Sequence, residues 1–252
     1  MGDLSWLIQR PVAHRGLHDA SCGVIENSPS AVEAAIAGGF SVEVDIQLAR
    51  DGEAMVHHDF ALDRLTQGSG LLADHSSAHL RQVRFRATDD RMMSLTDLLA
   101  RVDGRAPLLI EIKSAFTGDV RLALRAANLL AGYRGPVALM SFDPEMISAV
   151  REAAPDIVRG VVAERRYADP EWNDLSAGTK LMLRHLLHWP KTRFQFIAYR
   201  VADLPVPETR LARAFGVPVL AWTVRRRSDR EAAERFADQM IFEGFHPSGE
   251  AA

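Results

Sequence analysis

A chain of 252 residues, 47% of them hydrophobic, is long enough to bury one large core and matches the usual size of an eight-fold βα barrel. Its net charge of −3 argues against nucleic acid as a main partner, and its single cysteine, Cys22, excludes an intrachain disulfide and a cysteine metal cluster. No apolar run approaches a membrane span, the N-terminus has no apolar signal core, and Trp6 spoils a myristoylation pattern, so the expectation is a cytoplasmic protein with no integral membrane segment.

Val12-Ala13 opens a short strand that breaks at once into His14-Arg15-Gly16, the form of a functional loop; alone, a surface turn would be the plainer reading. Ser28-Pro29 predicts a helix start, with serine as cap and proline in the first turn, and Gly38-Gly39 predicts its end. The next residues alternate: Val42, Val44, Ile46 and Leu48 point one way and Glu43, Asp45 and Gln47 the other, as in a strand with one apolar face. Asp51-Gly52 then predicts a two-residue hairpin turn, because glycine takes positive φ freely. That turn pairs Arg50 with Glu53 and sets Asp45 opposite His58, leaving His57 on the apolar side. Glu43, Asp45 and His58 would then share one face. Two carboxylates and an imidazole cost too much there unless a metal or charged ligand meets them. The return limb is too short for a helical crossover, so only 42–45 counts as barrel strand.

Residues 60–105 read as a long polar excursion, more often a lid or binding element than a passive loop. Within it, Ser94-Leu95-Thr96-Asp97 is a capping box that predicts a helix over 95–102. Leu108-Leu109-Ile110-Glu111-Ile112-Lys113 is a nearly continuous apolar strand with Glu111 and Lys113 on one face at its C-terminal end. There they fit an active site better than a structural ion pair. Strands at 136–142, 157–163, 194–199, 219–224 and 240–242 then alternate with helices at 120–131, 145–153, 176–188, 208–215 and 229–237. The last helix is opened by Ser228-Asp229-Arg230-Glu231. With 12–14, 42–45 and 108–113 the strands number eight. The prediction is one (β/α)8 barrel domain over residues 1–252, with 60–105 inserted between barrel strands 2 and 3 and the site at the strands' C-terminal ends. His75, His79 and His246 read as surface residues, and His185 and His188 lack nearby carboxylates for a metal. Fingerprints of serine hydrolases, P-loop enzymes and dinucleotide binders are absent.

The strand ends thus gather His14, Arg15, Glu43, Asp45, His58, Glu111 and Lys113. Three carboxylates without cysteine suit one hard divalent cation, Mg²⁺ or Ca²⁺. Arg15 and Lys113 add positive charge, so the substrate is expected to be a small anion, with phosphate the natural candidate. Two histidines can supply a general acid and a general base for breaking a phosphorus–oxygen bond.

At this level of detail the sequence resembles the glycerophosphodiester phosphodiesterase family over most of its length. The matching pieces are Ala-His-Arg-Gly (13–16), Glu-Asn-Ser (26–28), Glu-Val-Asp-Ile-Gln-Leu (43–48), Asp-Gly (51–52), Val-His-His-Asp (56–59) and Leu-Asp-Arg-Leu-Thr (62–66). Further along come Ile-Glu-Ile-Lys (110–113), Ser-Phe-Asp (141–143) and Ala-Trp-Thr-Val (221–224). The resemblance implies that Glu43, Asp45 and Glu111 hold the metal and that His14 and His58 are the acid/base pair. It further implies that Arg15 and Lys113 contact the phosphate, that Trp222 flanks the substrate, and that 60–105 is the family's insertion over the barrel mouth. The implied activity is hydrolysis of glycerophosphodiesters to glycerol 3-phosphate and an alcohol. Two departures fall on the substrate side: Arg225 stands where the family commonly has asparagine, and Phe242-Glu243-Gly244-Phe245-His246-Pro247 stands where a Thr-Asp-x-Pro type motif is usual. They bear on the head group more than on the chemistry. Two rival readings are a lysophospholipase D-like relative, which would need an apolar mouth, and a non-catalytic phosphodiester-binding barrel.

Overall fold

The computed structural model describes residues 3–247; Met1 and Gly2, which belong to the N-terminal pattern read above, and residues 248–252 lie outside them. Nine strands run in chain order: β1 (Val12–Ala13), β2 (Ser41–Leu48), β3 (Ala54–Val56), β4 (Leu108–Ile112), β5 (Val137–Ser141), β6 (Val158–Ala163), β7 (Phe196–Arg200), β8 (Val219–Val224) and β9 (Gln239–Phe242). The sheet order is β1-β9-β8-β7-β6-β5-β4-β2-β3, and β1 also pairs with β2, so eight parallel strands close on themselves while β3 hangs antiparallel on β2. The helices are α1 (Pro29–Ala37), α2 (Ser77–Leu80), α3 (Leu95–Val102), α4 (Arg121–Leu130), α5 (Pro144–Ala153), α6 (Ala177–Arg184), α7 (Trp189–Thr192), α8 (Pro207–Ala214) and α9 (Arg227–Phe236). This is the expected (β/α)8 barrel.

Strand alternation divides the apolar residues between two cores. Val42, Val44, Ile46, Ile110 and Leu139 join the shell packed against the helices, whereas Val12, Leu109, Met140, Phe196, Leu220 and Ile241 fill the lumen with Leu7. A Cβ added at Gly160 would lie 2.3 Å from the Phe196 ring, so the missing side chain is what lets that ring fill the barrel. Glu43, Asp45 and Glu111 sit on the lumen side of the same strands, nearer the C-terminal ends. All three are nine-tenths or more buried.

The hairpin register is offset by one from the expected pairing. Ile46 pairs with Val56 and Leu48 with Ala54, and the Ala49 N–H donates to the Glu53 carbonyl at 2.8 Å. The loop is therefore the three residues Arg50-Asp51-Gly52, with Gly52 at φ 83°, the arrangement in which glycine ends a longer hairpin loop in a left-handed bulge. In this register Asp45 faces His57, whose N–H donates to the Asp45 carbonyl at 3.0 Å. His58 nevertheless reaches the mouth and His57 is buried, because β3 ends at Val56 and the chain bends. The Gln47 carboxamide makes that bend by donating to the carbonyls of His57, His58 and Asp59 at 3.2, 2.8 and 2.5 Å.

Boundaries shift elsewhere for local reasons. α9 starts at Arg227, two residues earlier than the sequence suggests, because Asp229 caps from inside by accepting the Arg226 N–H at 3.1 Å. The helix expected over 176–188 ends as α6 at Arg184, and the separate short α7 begins only at Trp189, with Leu186 at φ 53° between them. Residues 60–105 build a small core of their own, Leu62, Leu72, Leu80 and Met92, against Ala49 and Met55 of the hairpin. The excursion stands beside the hairpin, and none of its residues lines the cavity at the mouth.

Candidate active site

The cavity at the C-terminal end of the barrel holds about 620 Å³. His14, Arg15, Glu43, His58, Glu111 and Lys113 line one half, and Phe142, Glu164, Asp169, Glu171, Arg200 and Trp222 are prominent in the other. Every site residue expected from sequence is on this surface, apart from Asp45, which lies directly beneath it.

Each side chain is aimed by its local structure. The His14 N–H donates to the Phe242 carbonyl, continuing the β1–β9 ladder, and Gly16 then turns the chain away at φ 79°. Any Cβ at Gly16 would lie 2.7 Å from the Ala31 backbone of α1, so the His-Arg-Gly turn accepts nothing larger there. Arg15 is left-handed at φ 56°, held by its N–H to Glu43 Oε2 at 2.8 Å and by its carbonyl, which accepts from the Asn27 N–H at 2.9 Å. Asn27 in turn clamps Asp45, donating from Nδ2 to Oδ2 at 2.9 Å and accepting the Asp45 N–H at 3.1 Å.

Glu43, Asp45 and Glu111 each bring a carboxylate oxygen within 4.8 Å of the others, a group that can hold a metal ion. At an effective dielectric constant of about 20, two charges that close repel by roughly 3 kcal/mol or more. Arg15 Nε lies 3.4 Å from Asp45 Oδ2, and Lys113 Nζ lies 3.1 Å from Glu111 Oε1 and 3.9 Å from Asp45 Oδ1. Three carboxylates against two cations leave one negative charge in excess, and the strain falls unevenly. Burial, then Asp45 and Glu111, push the Glu43 carboxyl well above its ordinary value. Burial also pushes Asp45 upward, but Arg15, His58 and Lys113 outweigh it and hold Asp45 below the usual range. Burial would strip Lys113 of its proton, yet Glu111 and Asp45 keep it charged and shift it up. All-oxygen donors with unbalanced negative charge fit a hard divalent cation.

The two histidines flank this trio: His14 ends β1 on one side of β2, and His58 leans on β4 on the other. His14 Nδ1 is 2.7 Å from Glu243 Oε2, and His58 Nδ1 is 2.8 Å from Asp59 Oδ1. Each carboxylate accepts the Nδ1–H, which leaves Nε2 as the nitrogen turned to the site. Lys113 Nζ, a donor only, lies 3.3 Å from His58 Nε2 and agrees with that tautomer. Burial lowers the His14 imidazole's affinity for a proton, with the Glu243 hydrogen bond opposing.

Glu243 and Asp59 are the residues that sequence reasoning missed. Asp59 directly follows His58, and Glu243 directly follows the last barrel strand; both positions were legible as strand-end sites. Glu243 also accepts from Arg225 Nη2 at 2.9 Å, so the two departures from the family pattern are one ion pair. The loop 164–176, which supplies Glu164, Asp169 and Glu171, was not singled out either; Tyr167 and Trp172 anchor it with Leu183. Ser141 and Asp143 prove structural. The Ser141 hydroxyl donates to the Ile112 carbonyl at 2.7 Å, and Asp143 caps α5. His185 pairs with Glu208 across α6 and α8, away from the site.

Known proteins are similar to the chain over most of its length. The chain is 25% identical over 232 residues, 87% of each chain, to a glycerophosphodiester phosphodiesterase of Caldanaerobacter subterraneus subsp. tengcongensis. It is 28% identical over 253 residues to human glycerophosphodiester phosphodiesterase 1, covering 88% of this chain and 74% of that one. In fold it is similar to an Oleispira antarctica phosphodiesterase solved with the product sn-glycerol-3-phosphate, with a TM-score of 0.77, 19% identity and coverage of 94% and 93%. The family model of the glycerophosphoryl diester phosphodiesterases matches residues 14–245, from the first site histidine to just past Glu243, and the chain belongs to that family.

Proposed function

We propose that the protein hydrolyses glycerophosphodiesters to glycerol 3-phosphate and an alcohol, dependent on a divalent cation and using His14 and His58 as the acid/base pair. The observation that carries this reading is one cavity in which two carboxylate-oriented histidines flank three buried carboxylates. Glu43, Asp45 and Glu111 would hold Mg²⁺ or Ca²⁺, which when bound supplies positive charge to polarise the phosphate. Arg15 and Lys113 neutralise the diester's single charge and its growth in the transition state. One histidine takes a proton at Nε2 from the attacking hydroxyl as the new phosphorus–oxygen bond forms. The other, carrying a proton at Nε2 as well as at Nδ1 when the substrate is bound, gives that Nε2 proton to the departing alkoxide as the old bond breaks, and the alcohol leaves neutral. The product seen with the Oleispira antarctica enzyme is the one such cleavage would release here.

Trp222 Nε1 donates to the Ala198 carbonyl at 3.0 Å, so the indole offers the substrate its ring and no free donor. That suits packing against the non-reacting end of a substrate. A lysophospholipase D-like reading gains from the apolar floor formed by Met140, Phe142 and Val162. It loses at the rim, where an acyl chain would desolvate Asp169, Glu171 and Arg200. The purified protein should release glycerol 3-phosphate and choline in equal amounts from glycerophosphocholine, and chelation should abolish this until a divalent cation is restored. Full activity after exhaustive chelation would remove the metal from the account.

A further inference from the structure

The excursion 60–105 touches the site through one side chain whose geometry gives it a task. Arg64 stands between two carboxylates and forks to both. Nε and Nη2 meet Asp59 at 2.5 and 2.9 Å, and Nη1 and Nη2 meet Glu26 at 3.0 and 2.8 Å. Asp59 orients His58, and Glu26 Oε1 accepts from Arg15 Nη1 at 2.6 Å. A continuous chain therefore runs Arg15–Glu26–Arg64–Asp59–His58, joining a phosphate-side guanidinium to an acid/base imidazole. Burial pushes Glu26 upward, but Arg64 and Arg15 outweigh it and hold its carboxyl down at about 2. Asp59 is likewise held below the usual range by Arg64 and His58 against burial. Without Arg64, Glu26 would keep Arg15 as its partner, while Asp59 would keep only His58 and lose the fork that fixes its plane.

We propose that Arg64 is a positioning residue for the reaction, and that the excursion works as a brace that locks the His58 imidazole into one geometry through Asp59. The proposal rests on the phosphodiesterase reading for its kinetic consequences only. Arg64 is 48% exposed in its side chain, so its ion pairs contribute little to stability and its replacement should leave the fold and melting temperature nearly unchanged. Lysine in its place keeps the charge but cannot fork to both carboxylates.

The test combines kinetics with a readout independent of turnover. Arg64→Met should lower kcat on glycerophosphocholine about 10–100-fold, the range for losing an outer partner of a site histidine. KM and divalent-cation affinity should stay within about threefold, and Arg64→Lys should not restore kcat. Because Arg64 acts through Asp59, adding Arg64→Met to Asp59→Asn should cost no more than about threefold beyond Asp59→Asn alone. In ¹⁵N spectra recorded above the imidazole titration range, His58 should show one Nδ1–H tautomer in the unmodified protein and a tautomer mixture in Arg64→Met. Unchanged kcat, losses that multiply in the double variant, or an unchanged His58 ring spectrum would each overturn the proposal. Should the unmodified protein cleave no phosphodiester at all, the functional reading fails and the ring spectrum alone decides the role of Arg64.

Discussion

Asp45→Asn should reduce turnover by about 10³-fold or more, since several kcal/mol of charge stabilisation in the transition state goes with the cation. Asp45 is 1% exposed and keeps three neighbours in place, Asn27, Arg15 and Lys113. The substitution is nearly isosteric and opens no cavity, but it removes a carboxylate that Arg15, His58 and Lys113 hold ionised, so some stability goes with it. The loss should therefore appear chiefly in kcat and in cation affinity, with the melting temperature lowered but the fold intact. Adding Mg²⁺ or Ca²⁺ should raise the melting temperature of the unmodified protein and leave that of Asp45→Asn unchanged, because only a folded state that binds the ion gains from it. Glu111→Gln should behave alike, although it also frees Lys113 from its 3.1 Å partner. An Asp45→Asn protein with wild-type turnover would take the carboxylate trio out of the mechanism.

The second large effect belongs to the histidines. His14→Ala and His58→Ala should each lower kcat by roughly 10²–10⁴, the range for a positioned acid or base. The double variant should fall well short of the product of the two losses, since a reaction that has lost one partner of a proton relay gains little from the other. Lys113→Ala differs in kind. It removes the charge that faces Glu111, Asp45 and His58 together, so it should raise KM and lower kcat, and it should weaken the trio's balance even without substrate. Equal and mild losses at His14, His58 and Lys113, measured by steady-state kinetics, would describe a binding module.

The residues proposed to carry this chemistry were legible because they stand at strand ends. Alternation across Val42 to Leu48 put Glu43 and Asp45 on the lumen face, and the apolar run before Glu111 marked a strand buried on both sides. Eight strand-like runs separated by capped helices then left a closed barrel as the simplest packing. What sequence could not supply was the pairing between distant ends. Glu243 reaches His14 across 229 residues, a contact that only barrel closure through β1 and β9 creates. The hairpin shows the converse. Asp-Gly fits a two-residue turn and the final position of a three-residue one equally well, so local pattern did not settle the register. The expected exposure of His58 and burial of His57 still hold, but their cause is the bend held by Gln47. The excursion misled for a related reason. Its polar surface suggested a lid, while the irregular spacing of Leu62, Leu72, Leu80 and Met92 hid the small core that fastens it to the hairpin.

The central claim is that the cavity grips a diester phosphate with a small polar arm, and one comparison tests it most directly. The kcat/KM values for glycerophosphocholine, its lysophospholipid counterpart and an aryl monophosphate should be measured side by side with saturating divalent cation. A diester carries one charge, which Arg15, Lys113 and one cation can hold, and its second arm can pack on Trp222, spending remote binding energy on orientation. A monoester brings nearly two charges and lacks that arm, while an acyl chain must cross the charged rim at Asp169, Glu171 and Arg200. The account predicts the highest kcat/KM for glycerophosphocholine, with both other substrates clearly lower; a clear preference for the lysophospholipid or the monophosphate would contradict it.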